Sequence, residues 1–473
     1  MTVKNERKVK AVRFTQWSRK PYAVFQSLGK VIHISVVLVS YSLIAPASYA
    51  QVAKDEQHNS MEGDTLPEVE ITTSEPGVMM GLDAVPAVSN EPEQAGSKNA
   101  AELALKLPGT DIRQRGINGV QGDISIRGSS PEQVKVLLNG IPLNDPQTGH
   151  HNLNLPIPLI SVSNVQRFTP VSGQQGGSNA FSGVLNYSNN ISDAKGFRLW
   201  LTGGKYNLFD MSAAGDFSTG SIKHHLAYNR KTSSGHSQNT DFRQDKLYLH
   251  SQMKPVDNLS IDIQAGLVDK GFGAEGFYSA KYPKQFEATK TRFASGSIQK
   301  SGKLLLKLNA WVRQNKDRFE LFRESMYQPQ GDYFVNGTDT AVYVPGIYEA
   351  WNYYSGHNYH SSITGGYRLN ASSKTNLGIF KAGLEHQHES ILSNVLGNNL
   401  TTPVAVNDKQ AYYTKKAMRD QINAAFSWKS PSVFGFRASL TGLAHHTGSY
   451  GTHAYGGGRI QWLPAVTFQY GVA

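Results

Sequence analysis

Leu259-Ser260-Ile261-Asp262-Ile263-Gln264-Ala265 and Phe434-Gly435-Phe436-Arg437-Ala438-Ser439-Leu440 each alternate apolar and polar side chains. Successive side chains on a β-strand point to opposite faces, so each stretch makes a strand with one apolar and one polar face. The same alternation recurs throughout the chain beyond residue 195. It predicts twelve strands, at 197–204, 210–218, 221–230, 245–254, 258–268, 290–300, 303–313, 355–368, 375–388, 418–430, 433–444 and 456–468. Every second connection is short and turn-like: Ser218–Ser221, Lys254–Asn258, Lys300–Lys303, Asn370–Thr375 and Lys429–Val433. Those between are longer: Lys231–Gln244, Asp269–Thr289, Gln314–Tyr354, Glu389–Ala417 and His445–Tyr455, with 205–209 the one short exception. An up-and-down membrane barrel has short turns at one rim and long loops at the other, whereas a soluble sandwich has no reason to alternate so regularly. Polar residues then face a wet lumen and apolar residues face lipid.

The composition agrees with that reading. Mean hydropathy is −0.40, and no run after the N-terminal segment approaches the ~20 apolar residues of a spanning helix. Strands that are apolar on one side only depress hydropathy little. The 45 glycines, 22 tyrosines and 20 phenylalanines can supply tight turns and aromatic girdles. Cysteine is absent, which suits a chain that crosses an oxidising periplasm unfolded. The formal net charge of +11 is local: residues 1–50 hold eight Lys/Arg and one acidic residue, Glu6, leaving +11 − 7 = +4 for residues 51–473. In a nearly neutral remainder no basic patch argues for nucleic acid.

Residues 1–50 read as a secretory signal peptide. A basic region ends at Lys30, an apolar stretch runs from Val31 to Pro46, and small residues at Ser48 and Ala50 place cleavage before Gln51. Residues 51–100 contain ten Asp/Glu against Lys54 and Lys98, with four prolines, and read as a periplasmic acidic linker. Within it Leu66-Pro67-Glu68-Val69-Glu70-Ile71-Thr72-Thr73 alternates and carries β-branched residues. Such a peptide can add a strand to the sheet edge of another protein.

From 101 to 192 the pattern is that of a small α+β domain. A helix-like stretch, Glu102 to Leu107, stops at Pro108-Gly109, and short strands follow at Asp123–Gly128 and Gln133–Leu138. Asn139-Gly140 signals a two-residue hairpin turn, because both central residues of a type I′ turn need positive φ. Later strands lie at Val162–Val171 and Gly183–Tyr187. Four blocks in order carry a family resemblance: Leu107-Pro108-Gly109, Ile124-Ser125-Ile126-Arg127-Gly128, Val136 to Pro146, and Ser178 to Asn186. They resemble the plug domain of TonB-dependent receptors, and the loop Lys270–Pro283 resembles that of Bacteroidetes receptors of cobalamin type. The segment Asn164 to Gly173 departs from the family pattern, so detail of that loop is not carried over.

The resemblance implies a mixed α+β plug followed by an antiparallel transmembrane β-barrel in the cell outer membrane, with residues 193–473 as its N-terminal part. About 12 strands are legible, whereas a barrel that encloses a plug needs roughly 22, and the expectation is a C-terminally truncated chain. It implies that Glu68, Val69, Glu70, Ile71, Thr72 and Thr73 are the TonB box, and that TonB, with its inner-membrane energising complex, is the partner. It further implies that Arg127 and Gly128 lock the plug to wall carboxylates, since a guanidinium binds a carboxylate through two hydrogen bonds. The function implied is uptake of a large scarce ligand, a small molecule or metal chelate such as a siderophore or cobalamin; the loop Lys270–Pro283 tilts towards a cobalamin-type receptor. The alternative is a non-transporting surface receptor, adhesin or decayed remnant, because the legible barrel is incomplete; a passive porin is disfavoured by the plug. Candidate ligand contacts are Asn144, Asp145 and His150 at the plug apices and Phe272, Phe277, Tyr278 and Tyr282 in the aromatic loop. His386 and His388 share one strand face and could chelate a metal, although a solvated lumen face explains them equally, and no metal site is assigned. The pairs His150-His151, His224-His225 and His445-His446 diverge as neighbours on a strand. No nucleophile–base constellation, phosphate loop or cysteine cluster is legible, so neither catalysis nor a cofactor is expected.

Overall fold

The computed structural model describes residues 82–89, 96–170, 178–330, 333–336, 339–343, 353–354, 356–406, 411–433, 435–449, 451–462 and 466–472. The chain divides into two units, 1–72 and 73–473, and every described residue belongs to the second. The signal peptide and Glu68–Thr73 lie outside the described residues.

The plug is built on a five-stranded sheet. Its strands are β1 (Leu82–Ser89), β4 (Val134–Leu138), β5 (Ile141–Pro142), β6 (Asn164–Pro170) and β7 (Gly183–Ser188), in the order β1-β6-β7-β4-β5. A separate hairpin pairs β2 (Thr110–Arg115) with β3 (Gln121–Ile126). The β4–β5 turn is Asn139-Gly140, at φ 50° and 82°, as a type I′ turn demands. One finding departs from the linker reading of residues 51–100: Leu82–Ser89 is a strand of the plug sheet, antiparallel to β6. Its acidic surroundings hid it, since Asp83, Glu91 and Glu93 dominate the local composition.

The second sheet contains fourteen strands among the described residues. They are β8 (Gly196–Gly204), β9 (Leu208–Thr219), β10 (Ile222–Ser233), β11 (Phe242–Val256), β12 (Leu259–Gly273), β13 (Phe286–Lys300), β14 (Leu304–Glu320), β19 (Asn358–Thr375), β20 (Gly378–Ser393), β21 (Asn398–Ala405), β22 (Tyr412–Lys429), β23 (Phe436–Thr447), β24 (Gly451–Trp462) and β25 (Val466–Val472). Thirteen pair antiparallel in near-sequential order from β8 to β25, with β21 added against β22. The long connection after β14 holds a small sheet of β15 (Gln328–Gln330), β16 (Tyr333–Asn336), β17 (Asp339–Tyr343) and β18 (Tyr353–Tyr354). The expected final strand at 456–468 is in fact two strands, β24 and β25.

The sheet is inside out. On β14, Asn309, Arg313, Asn315 and Asp317 are buried while Leu304, Leu306, Leu308 and Val312 are exposed. On β12, Gln264 is buried while Ile263 and Leu267 are exposed. In water that arrangement would leave a broad apolar face uncovered; in a bilayer it puts the apolar row against lipid. The plug packs on the polar face. Its core (Leu107, Ile124, Ile126, Val136, Leu138, Val165, Leu185, Tyr187) continues into Tyr248, Phe293 and Trp311 of the wall. Contact is close enough to exclude a side chain at Gly266, whose Cβ would lie 2.5 Å from the Pro156 carbonyl oxygen of the plug.

Candidate functional site: the seam and the outer mouth

Side chains that the alternation turns inward on β11, β12, β14, β19 and β20 meet plug backbone and plug polar groups along a seam. Arg313 Nη1 donates to Asp145 Oδ2 at 2.6 Å, and its Nη2 donates to the His151 carbonyl at 3.2 Å. Ser362 Oγ also donates to Asp145 Oδ2, at 3.0 Å. Lower on the wall, Arg368 holds Glu385 through Nε at 2.6 Å and through Nη2, while its Nη1 reaches the Gly140 carbonyl at 3.0 Å. Lys135 of the plug approaches the same carboxylate at 3.4 Å. Burial pushes the Lys135 ammonium below the usual lysine range, and Glu385 opposes that shift. Further hydrogen bonds complete the seam: Asn139 Nδ2 donates to Gln264 at 2.7 Å and Tyr248 at 3.2 Å, and Lys270 donates to the Val120 carbonyl.

This arrangement reverses the expected lock. Arg127 is exposed at φ 54°, beside Gly128 at φ 80°, in the turn after β3, and has no carboxylate partner among the described residues. The guanidinium groups that do the holding belong to the wall, and the plug supplies carboxylate and carbonyl acceptors. Partners here lie far apart in sequence (Asp145 and Arg313 are separated by 168 positions), and only the topology brings them together.

At the outer end the β2–β3 hairpin and the 3-10 turn Gly149–His151 rise towards the loop between β12 and β13. Asp123 pairs with Arg115 at 3.0 Å and with His150 Nδ1 at 2.5 Å. Burial alone would raise the Asp123 carboxyl, but His150 and the two arginines Arg115 and Arg113 outweigh it and hold it below 3.8. Tyr278 leans over this cluster: the Arg115 guanidinium lies 5.4 Å from its ring centroid and the His150 ring 6.2 Å away. The Tyr278 ring is exposed, while its hydroxyl turns inward to Glu287 and accepts from Gln121 at 2.7 Å. Burial and the Glu287 charge raise that phenol above its usual range. Phe319 meets Tyr278 edge-on at 5.2 Å.

Of the ligand contacts expected from the sequence, the structure therefore brings His150 and Tyr278 together at an accessible mouth. Tyr282 stands further along the same loop, edge-on to Phe322 at 5.8 Å. Phe277 is half-buried and would clash with a side chain at Gly116. Phe272 is buried in a cluster with Val120 and Phe242, and Asp145 is occupied by Arg313. Asn144 is spent on the plug backbone, accepting from Val136 N–H and donating to the Val134 carbonyl. Arg115, Gln121 and Phe319 complete the mouth and had no sequence signal of their own. His386 and His388 point outward, not into the lumen, since Glu385, Gln387 and Glu389 take the inner face. Both rings lie near Asp420, at 3.3 and 3.0 Å.

A plug seated on the polar face of an inside-out antiparallel sheet is the architecture of a plugged membrane β-barrel. Residues 69–184 match the TonB-dependent receptor plug domain, and the chain carries a domain of that kind. Over 155 residues it is 28% identical to the vitamin B12 transporter BtuB of Vibrio cholerae serotype O1, covering 31% of this chain and 23% of that protein. Over 156 residues it is 26% identical to BtuB of Vibrio vulnificus, covering 32% and 24%. The match thus spans under a quarter of the length of these relatives. Among solved structures, the copper transporter OprC superposes with a TM-score of 0.62 at 14% identity, covering 82% of this chain and 64% of that one. The siderophore receptor PirA of Acinetobacter baumannii superposes with a TM-score of 0.55 at 12% identity, covering 83% and 60%. Those likenesses establish the fold.

Proposed function

We propose that this receptor captures a large scarce ligand, a corrinoid or a metal chelate of siderophore type, and moves it into the periplasm using energy delivered through TonB. The observation that carries the reading is the seam. A plug held by buried ion pairs and backbone-directed hydrogen bonds blocks the lumen to passive flow, so passage needs work done on the plug. The outer membrane has no gradient to supply it. The segment Glu68–Thr73, just N-terminal to the plug, is the handle in this reading: TonB takes it up as an added strand and pulls. The mouth of Arg115, His150, Tyr278 and Phe319 offers one cation, one imidazole and two ring faces, which suits a bulky, partly flat, partly anionic ligand. Similarity to BtuB favours a corrinoid, and the siderophore-receptor fold keeps ferric chelates in play.

The test is uptake in cells that make the protein as encoded, with radiolabelled cyanocobalamin and a panel of ferric siderophores. Uptake of one of these should collapse with a proton uncoupler. Replacing Val69 or Ile71 by proline, which deletes a ladder donor, should abolish uptake while leaving surface binding intact. Uptake that persists in both conditions would overturn the energised reading.

A further inference from the structure

We propose that His151 of the plug, with Glu287 and Asp317 of the wall, forms a divalent transition-metal site that clasps plug to barrel beneath the mouth. One donor atom from each residue lies within 4.8 Å of the other two. All three side chains are almost wholly buried, at 3%, 2% and 6%. His151 Nε2 lies 3.6 Å from Asp317 Oδ2, and its Nδ1 lies 3.9 Å from Glu287 Oε1. Those spacings are too long for charge-assisted hydrogen bonds, which close to about 2.7–2.9 Å. The Nε2–Asp317 spacing suits two donors that each reach an ion between them at about 2.0–2.2 Å, and an oxygen of Glu287 lies within 4.8 Å of both donors.

Unmet bonding points the same way. His151 Nε2, Glu287 Oε1 and Asp317 Oδ1 have no hydrogen-bond partner, and a buried polar atom left unpaired costs about 1–3 kcal/mol. The remaining atoms are satisfied in ways that orient the set. Tyr278 and Gln121 hold the other oxygen of Glu287, and Gln147 donates to Asp317 Oδ2 at 2.8 Å. Asn154 stands 3.4 Å from His151 Nδ1; with its amide turned end for end it would accept from Nδ1–H and leave Nε2 free to ligate. His360 lies opposite Asp317 in the β14–β19 register, and its buried Nδ1 also lacks a hydrogen-bond partner, so a candidate fourth donor lies on the neighbouring strand. Imidazole with carboxylates suits zinc and its first-row neighbours better than calcium or magnesium. The rival arrangement is a protonated His151 between two carboxylates: burial would lower that imidazole, but Asp317 and Glu287 raise it. Lys270, whose charge faces both carboxylates, is the other cation of this pocket.

The experiment uses the purified receptor in detergent, stripped with EDTA and titrated with zinc and, separately, with cobalt. The expected result is one tight zinc equivalent and, for cobalt, a visible d–d band of a low-symmetry nitrogen–oxygen site that zinc erases. Glu287→Gln and Asp317→Asn preserve shape and should each weaken zinc binding at least ten-fold. His386→Gln/His388→Gln, which removes the outward histidine pair near Asp420, should leave binding unchanged. Absence of a tight equivalent and of the cobalt band in the wild-type protein would overturn the proposal in favour of the protonated clamp. Tight binding lost only with His386 and His388 would place the ion on the outer surface and overturn it equally.

Discussion

Arg313 of the barrel wall donates to Asp145 of the plug at 2.6 Å, with the two side chains 1% and 0% exposed. This pair and the Arg368–Glu385–Lys135 group join the two domains by charge in a place where water cannot screen it. Removing one partner of such a pair leaves the other charge buried and alone, which costs about 3–5 kcal/mol. Arg313→Met and Asp145→Asn should therefore each loosen the plug by that order, read as a lower denaturant midpoint for exposure of plug amides to hydrogen exchange. The double variant should lose less than the sum, with a coupling above about 1.5 kcal/mol. Additive losses would mean that the two groups do not act on one another.

The second ion group makes an asymmetric prediction. Glu385 is the shared anion of Arg368 and Lys135. Glu385→Gln strands two buried cations and should destabilise plug seating by about 3–5 kcal/mol. Lys135→Met leaves Arg368 and Glu385 together and removes an ammonium that burial already disfavours, so its effect should stay below about 2 kcal/mol. Thermal unfolding of both variants in one detergent decides it. Equal losses would show that the plug lysine, rather than the wall pair, carries the group.

Acid should act at the mouth through Asp123. Its carboxyl is held below 3.8 in the folded protein. A depressed folded value means that the carboxylate stabilises fully above the unfolded value and that this part is lost as pH falls through the folded one. The groups facing it are His150, Arg115 and Arg113. Asp123→Asn should therefore lower the unfolding temperature at pH 6–7, and the gap to wild type should narrow as pH drops below about 3.8. A gap that stays constant as pH falls well below that value would mean that the carboxylate charge contributes nothing to holding His150 and Arg115.

The barrel was the most legible part of the chain, because period-2 alternation such as that of Leu259–Ala265 records the two environments of a membrane strand directly. Its boundaries moved outward: 303–313 became Leu304–Glu320 and 375–388 became Gly378–Ser393. Strands continue past the lipid band, where nothing forces apolar residues onto the outer face. His386, His388 and Asp420 are polar residues on the outer face, among exposed Ile422 and Met418, which is why the histidines resembled lumen residues. Asn139-Gly140 was legible because its backbone demand is local. The seam was not, since Arg313 and Asp145 are each an ordinary charged residue until the register sets one opposite the other. Arg127 misled for the converse reason: its family context implied a lock, while its positive φ places it in an exposed turn.

Gly266 offers the most direct test that plug and wall meet as described in the membrane. It sits on the inner face of β12, where a Cβ would come within 2.5 Å of the Pro156 carbonyl oxygen and 2.8 Å of its Cβ. Both atoms belong to a rigid ring or the backbone, so no side-chain rotation relieves the contact and the plug itself must shift. Gly266→Ala should cost about 1–3 kcal/mol of plug seating. It should also make cells more permeable to a large antibiotic that the intact outer membrane excludes. Gly296→Ala is the matched control: it lies on the neighbouring strand β13, and its Cβ would approach nothing closer than the Asp262 carbonyl at 4.0 Å. The first variant should leak and the second should not. If both behave as wild type, Pro156 does not press on β12 in the membrane, and the plug sits further from this wall than the seam requires.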